Sequence, residues 1–186
     1  MLKNTINSHI YRLYLDIKSS NLLFTLLGNS MYPTLKSGWK AKLKSINPEE
    51  IKEGDIVIFS AKKIVCHRII GKFRWNKKYY FIHKGDNQYM GAVFKEDMLI
   101  AKVVEVYDEN NKMVDKERWQ RRTLLPLSNK LLSYTYLLLF LTKRVLFKNK
   151  QNKLSRWIRK QFWCVYNFIF PVAIKSIYKF FKLKRD

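Results

Sequence analysis

The chain has 186 residues, 47% of them hydrophobic, which is enough for one folded domain with extensions. Its formal net charge of +23 is unevenly spread, because 18 of the 37 Lys and Arg residues but only two of the 14 acidic residues lie in residues 116–186. Two cysteines are too few for a disulfide framework, and neither they nor the three histidines have the spacing of a zinc site. We therefore expect no metal and no cofactor.

Residues 1–20 are predicted to form a short amphipathic helix. Within residues 4–18 the apolar side chains recur at helical spacing and fall on one face, at Ile6, Ile10, Leu13 and Ile17. We expect this face to dock on the domain or on lipid. The segment lacks the long apolar core of a secretory signal peptide, so we do not interpret it as one.

Residues 21–114 are predicted to form a β-rich domain, because short apolar or alternating runs are separated by turn signals. The clearest run is residues 39–44, where apolar side chains alternate with lysines as in a half-exposed strand. Further strands are predicted over residues 22–27, 56–59, 64–70, 79–83 and 98–106, with a hairpin connection over 72–78 and a turn at Asn110-Asn111. Many short strands of this kind favour a partly closed β-sheet.

Residues 115–186 are predicted to be helical, basic and membrane-associating. Two nearly uncharged runs, residues 131–141 and 162–174, contain Trp or Tyr and are flanked by Lys and Arg. Each run is shorter than the roughly 20 residues that a simple spanning helix needs. The pattern is typical of helices that lie in the surface of an anionic membrane. Spanning helices extended by long basic side chains, or a subdomain that packs on the rest of the chain, are the alternatives. Nucleic acid is not expected as a partner, because such a surface rarely needs long apolar runs.

Three segments carry side chains that could support acyl transfer. Ser30 lies in a tight turn after a short apolar run, and a serine held in this way is a nucleophile when a base reaches it. His67 lies in an apolar run and can accept a proton near neutral pH. Asp86 lies in a turn and offers a carboxylate that can orient the imidazole. Taken singly, the histidine is better explained as a strand residue facing a polar neighbour, and the aspartate as an ordinary turn residue.

Four motifs follow one another along the chain: G-N-S-M-Y-P-T-L at 28–35, G-D-I-V-I-F at 54–59, C-H-R-I-I-G at 66–71 and H-K-G-D-N at 83–87. Their order resembles that of the type I signal peptidases. They look most like the histidine-using branch found in archaea, in the endoplasmic reticulum and in some Gram-positive bacteria. The resemblance covers roughly residues 22–107. It implies a signal-peptidase-like β-sheet domain that cleaves signal or leader peptides near a membrane.

The resemblance also assigns roles within the site. It implies that Ser30 is the nucleophile, that His67 is the general base, and that Asp86 fixes the tautomer of the histidine. The Ser30 backbone N–H is the expected oxyanion donor, with the Asn29 side chain as a further candidate. Met31 and Pro33 are candidates for shaping the substrate groove, and simple packing explains them equally well.

The chain also departs from the family pattern. Many relatives carry a hydroxyl residue two positions before the nucleophile, where this chain has Gly28. The histidine-using branch often has a second aspartate shortly after the H-K-G-D-N motif, and residues 87–92 contain none. His83 is close enough in sequence to Asp86 to approach the site, although a polar residue at a strand end is the simpler interpretation.

The expected partners are a peptide or protein precursor and an anionic membrane surface. The resemblance implies an extended substrate that pairs with a strand edge, with small side chains just before the cut. A non-catalytic membrane-binding module of the same fold is one alternative. A self-cleaving regulator is another, but such proteins typically use a lysine base and an N-terminal DNA-binding module, for which residues 1–20 are too few.

Overall fold

The computed structural model describes residues 23–61, 63–120 and 126–146, together with the single residue Val172. The helix predicted over residues 1–20 lies outside the described residues. So does the apolar run over 162–174, apart from Val172.

The described part is mainly β, as predicted, and its centre is a seven-stranded antiparallel sheet in the order β1-β2-β7-β3-β4-β5-β6. Two α-helices follow the last strand in this part of the chain. The strands are β1 Leu23–Thr25, β2 Lys40–Lys44, β3 Ile56–Ser60, β4 Ile64–Trp75, β5 Lys78–Lys84, β6 Gly91–Lys95 and β7 Leu99–Tyr107. The helices are α1 Lys116–Gln120 and α2 Pro126–Leu146, and short 3-10 turns lie at Pro48–Glu50 and Glu96–Met98.

Strand β2 confirms the alternation read from the sequence. Ala41 and Leu43 are buried, whereas the three lysines of the strand are half-buried or exposed. This pattern arises because successive side chains of a strand point to opposite faces of the sheet. The turn predicted at Asn110-Asn111 is also present, and Asn111 has a φ of 57°.

The hairpin formed by β4 and β5 is longer than predicted. Residues 72–78 are mostly strand, and the connection is a two-residue turn at Asn76 and Lys77, whose φ angles of 47° and 63° suit a tight hairpin. The end of β4 is stabilised from outside the sheet, because Phe73 stacks on Tyr80 and meets Phe140 of α2 edge-on. Strand β6 was not predicted, and it pairs with β5 along its whole length.

The two faces of the sheet carry separate apolar clusters. In β3, Ile56 and Ile58 pack with one cluster, which includes Trp119 of α1, while Val57 and Phe59 pack with the other. Because neighbouring strands share this alternation, a residue's position along β4 or β5 decides which cluster it joins.

Helix α2 packs along the β4–β5 hairpin. Its Leu132 and Tyr136 are buried with Ile70 and Ile82, and the Tyr136 hydroxyl donates to the carbonyl of Gly91 at 2.6 Å. The apolar run over 131–141 is therefore partly internal, although other side chains of the same helix remain exposed. Neither helix of the described part combines the length and the hydropathy needed to cross a bilayer.

Candidate active site

The turn that carries Ser30 is anchored in the core by its next residue. Met31 and Leu35 are buried in the cluster shared with α1, and the Leu35 N–H donates to the Met31 carbonyl at 2.9 Å. Ser30 itself is half-buried, and Pro33 is exposed. Of the two candidate groove residues, Met31 is therefore a core residue in this structure, whereas Pro33 is available at the surface.

The Ser30 turn rests directly on the turn that carries Asp86. The Asn87 N–H donates to the Ser30 carbonyl at 2.8 Å, and the Asn87 side-chain amide donates to the Asn29 carbonyl at 3.2 Å. Gly85 makes this contact possible, because a Cβ at that position would lie 2.6 Å from the Ser30 carbonyl oxygen. Two of the three sequence-predicted segments are thus in contact through their backbones.

The carboxylate of Asp86 is bound by Arg68. The guanidinium makes paired hydrogen bonds to it, Nε to Oδ1 at 2.9 Å and Nη2 to Oδ2 at 2.7 Å. Arg68 is fully buried and also donates to the carbonyls of Gly54 and Trp119. A bidentate pair of this kind fixes both groups strongly. Asp86 therefore anchors its turn to Arg68 of β4. Arg68 in turn connects this pair to the loop before β3 and to α1.

His67 is paired with a second histidine, His83 of β5. Their Nδ1 atoms are 2.9 Å apart, and both side chains are buried. One ring must carry its hydrogen on Nδ1 and the other on Nε2, because a hydrogen bond between two neutral imidazoles needs one donor and one acceptor. The His83 ring also lies against Phe59 and Phe94, at centroid distances of 4.5 Å and 5.5 Å.

Burial keeps both histidines neutral near pH 7. It lowers the pKa of His67 from its ordinary 6.5 to about 4, while the charge of Asp86 acts in the opposite direction and that of Lys63 adds to the lowering. Burial also lowers the pKa of His83 to about 3, with repulsion from His67 as the second cause. Low-dielectric surroundings disfavour the charged form of a base, so the neutral form with its free lone pair dominates.

His67 precedes Arg68, the residue that binds Asp86. Arg68 and Lys84 form the last pair of the β4–β5 ladder, so the His67 backbone lies where this ladder ends. Within the described residues, however, no hydrogen bond joins His67 to the Ser30 hydroxyl or to Asp86. Catalytic hydrogen bonds are often long in the free enzyme and close only with substrate.

The sequence points only weakly to His83 and does not single out Lys84. His83 was a secondary candidate, and the signal that identifies it is its position diagonal to His67 on the same sheet face. Lys84 is buried on the opposite face, beside Arg68, and its Nζ donates to the Gln88 carbonyl at 2.9 Å. Burial lowers the pKa of Lys84 to about 8, against the attraction of Asp86.

The described residues contain no group of three or more His, Cys, Asp and Glu side chains arranged to hold a metal ion. Cys66 precedes the histidine and is the nearest thiol in sequence. Burial raises the pKa of the Cys66 thiol to about 12. Because the thiolate is the reactive form, this cysteine is a poor nucleophile near neutral pH.

Comparisons with protein-family models, with curated proteins and with solved structures found no match to this chain. Three features of the chain bear on its function: the contact between the Ser30 and Asp86 turns, the neutral His67 next to Arg68, and the basic C-terminal segment.

Proposed function

We propose that this protein is a serine endopeptidase of the signal-peptidase kind, which cleaves a signal or leader peptide near a membrane. The observation that carries the proposal is the contact of the Ser30 turn with Gly85 and Asn87, which flank Asp86, the partner of Arg68 next to His67. In the proposed enzyme, a hydroxyl, an imidazole and a carboxylate from three separate segments would act together. The resemblance of the four motifs supports the same fold and activity.

Catalysis would begin with transfer of the Ser30 hydroxyl proton to Nε2 of neutral His67. The Ser30 oxygen attacks the scissile carbonyl, and the resulting oxyanion accepts a hydrogen bond from the Ser30 backbone N–H, beside which Asn29 is exposed. His67 then returns the proton to the leaving amine, which departs and leaves an acyl-enzyme. Water, deprotonated in turn by His67, attacks the ester and releases the second product.

Asp86 would contribute through its charge rather than through direct contact. Its negative charge favours the protonated form of His67, which is the form that appears during the reaction. The Arg68 pair holds this charge in place and keeps the turn against Ser30. Positioning of the turn and electrostatic support are thus the two roles proposed for Asp86.

The substrate would bind as an extra strand next to the Ser30 turn. Strand β1 precedes this turn in the chain and is an edge strand of the sheet. An extended peptide added to that edge gains main-chain hydrogen bonds, which hold it without demanding a particular side chain. The scissile bond would then lie beside the Ser30 hydroxyl.

The membrane surface is the proposed second partner. Leu131, Tyr134 and Leu138 are exposed on α2, and Leu27 and Tyr32 are exposed on either side of Ser30. Residues 116–186 carry 18 Lys and Arg. Apolar side chains amid basic ones suit the headgroup region of an anionic bilayer. A membrane-bound substrate would then be held close to the site.

The test compares cells that express the wild-type chain, Ser30→Ala or Ser45→Ala. Ser45 is a half-buried serine outside the site, so Ser45→Ala controls for serine loss as such. Ser30→Ala should accumulate uncut precursors that the other two lines process. Equal processing in all three lines would overturn the proposal.

The base is tested separately with His67→Gln and Lys84→Met. Loss of cleavage in His67→Gln alone supports the proposed base. Loss in Lys84→Met, with turnover retained in His67→Gln, would assign the base to Lys84, whose lowered pKa makes it the second candidate. The exposed apolar side chains of α2 suit one alternative function, a non-catalytic membrane-binding module of the same fold. Vesicle binding without cleavage of any precursor would identify that module.

A further inference from the structure

We infer that His83 is a positioning residue for His67, and that it takes the place that a carboxylate holds in a serine-histidine-aspartate triad. This inference rests on the proposed function. The direct contact to His67 comes from His83, with 2.9 Å between the two Nδ1 atoms. The hydrogen bonds of the Asp86 carboxylate in the described part of the chain go to Arg68.

The fold presents the two histidines to each other. His83 pairs with Ile69 across the ladder, which makes His67 its diagonal neighbour on the same face. Phe59 and Phe94 stack at 4.1 Å and form a wall against the His83 ring. A ring packed in this way has little freedom, so its Nδ1 stays directed at His67.

The shared hydrogen decides whether His67 can act as a base. If it lies on Nδ1 of His67, the lone pair of that ring is on Nε2, where a serine proton can be accepted. If it lies on Nδ1 of His83, neutral His67 carries its hydrogen on Nε2 and cannot accept another there. The active tautomer of His67 therefore requires His83 in its Nε2–H form, as the acceptor of the shared hydrogen.

The same contact assists the proton transfer. When His67 accepts the serine proton, it becomes an imidazolium, and its Nδ1–H donates a charge-assisted hydrogen bond to the neutral Nδ1 of His83. No further group is consumed or released in this step.

The surroundings of the histidine pair include both charged and apolar groups. The charges that act on His67 are those of Asp86, which favours the imidazolium, and Lys63, which opposes it. The side chains that β3 and β6 place against the pair are the apolar rings of Phe59 and Phe94.

A neutral orienting group has a consequence for the pH profile. It stabilises the imidazolium less than a carboxylate would, so activity should persist below pH 6.5 and fall only when the histidine pair takes up a proton. His83→Asp places a carboxylate at the same position. The acid limb of kcat/KM should then move to higher pH, by about one unit or more.

The experiment uses the full chain with His83→Leu, His83→Asn and His83→Asp, and Ile82→Val as control. Ile82 neighbours His83 but packs on the other face with α2, so Ile82→Val mildly weakens the same strand without touching the histidine pair. His83→Leu should lower kcat by about 10²-fold or more with KM little changed, because it leaves the tautomer of His67 unselected. His83→Asn, which keeps an acceptor oxygen, should recover part of that loss.

Nitrogen NMR of ¹⁵N-histidine-labelled Ser30→Ala protein reports the tautomer without any need for activity. We expect His67 in the Nδ1–H form, and a change to a tautomer mixture when His83→Leu is added. An Nε2–H form of His67, or an unchanged tautomer and pH profile in His83→Leu, would overturn the role of His83 even if peptide cleavage is established. Failure of the wild-type chain to cleave any precursor, with the tautomer as expected, would instead refute the peptidase and leave the histidine pair standing.

Discussion

Arg68 binds Asp86 through two parallel hydrogen bonds in a place where both side chains are almost completely buried, at 1% and 6% exposure. The pair joins the strand that carries His67 to the turn that supports Ser30. A buried ion pair is costly to break from one side, because the remaining charge loses its partner and stays out of water. The integrity of the candidate site therefore depends on an interaction that belongs to the fold.

Arg68→Met should lower the free energy of unfolding by about 3–5 kcal/mol, because it leaves the Asp86 carboxylate buried without its cation. The double variant Arg68→Met/Asp86→Asn should recover part of this loss. Urea unfolding at pH 7 measures both effects. The control is Lys42→Met, which breaks a half-exposed pair with Glu105 and should cost no more than about 1 kcal/mol. Similar losses in Arg68→Met and Lys42→Met would show that the buried pair contributes no more than the exposed one.

The fold was predictable where the signal is local. The alternation in β2 and the unbroken apolar run of β3 each specify a strand without reference to any partner. The extension of β4 to Trp75 instead accompanies pairing with β5 and a ring contact with α2, and β6 accompanies pairing with β5. A short run such as residues 91–95 becomes a strand only through that pairing, which a local pattern cannot reveal.

The sequence nominates the residues of the candidate site, but it does not reveal their contacts. Ser30, His67 and Asp86 stand out by residue type and motif. The pairing of His67 with His83 depends on the register of β4 and β5, which shifts at an irregularity between Ile69 and Gly71. Sequence spacing does not specify such a shift, and for the same reason the partner of Asp86 could not be named in advance.

The free energy of unfolding should fall as the pH drops from 6.5 toward 4. Both pair histidines have a lower pKa in the folded chain, about 4 for His67 and about 3 for His83, than the 6.5 of the unfolded chain. In this window the unfolded state binds more protons, so each histidine removes about 1.4 kcal/mol of stability per pH unit. Above pH 6.5 the contribution of both is fully present.

Urea unfolding of the wild type and His83→Leu at pH 7, 6 and 5 isolates this effect. Other titrating groups are common to both proteins and cancel in the difference. The variant should lose less stability per pH unit than the wild type, by about the contribution of one histidine. Parallel pH dependences would mean that His83 binds protons equally well in the folded and unfolded chains.

Gly85→Ala should impair cleavage more than folding. The added Cβ would lie 2.6 Å from the Ser30 carbonyl oxygen, a backbone atom, so the Ser30 turn must move away. A displacement of about 1 Å at a nucleophile can cost about 10²-fold in rate. Gly38→Ala is the control, because its Cβ meets nothing within 4 Å but its φ of 89° is strained for alanine. It should lose about 1 kcal/mol of stability and keep its kcat/KM. Equal kcat/KM in the two variants would show that the close approach of the turns has no part in catalysis.

The full chain should bind vesicles that contain anionic lipid, and less tightly as salt is added, because Lys and Arg attract the headgroups. The triple variant Leu131→Gln, Tyr134→Gln and Leu138→Gln removes the exposed apolar side chains of α2, while glutamine keeps the helix favourable. It should bind at least about tenfold more weakly in a sedimentation assay, since each buried apolar side chain contributes on the order of 1 kcal/mol. Met113→Gln is the control, because Met113 is an apolar residue 63% exposed outside the helix. Unchanged vesicle binding in the triple variant would exclude α2 as the membrane contact, and weakening by Met113→Gln alone would move that contact to the turn after β7.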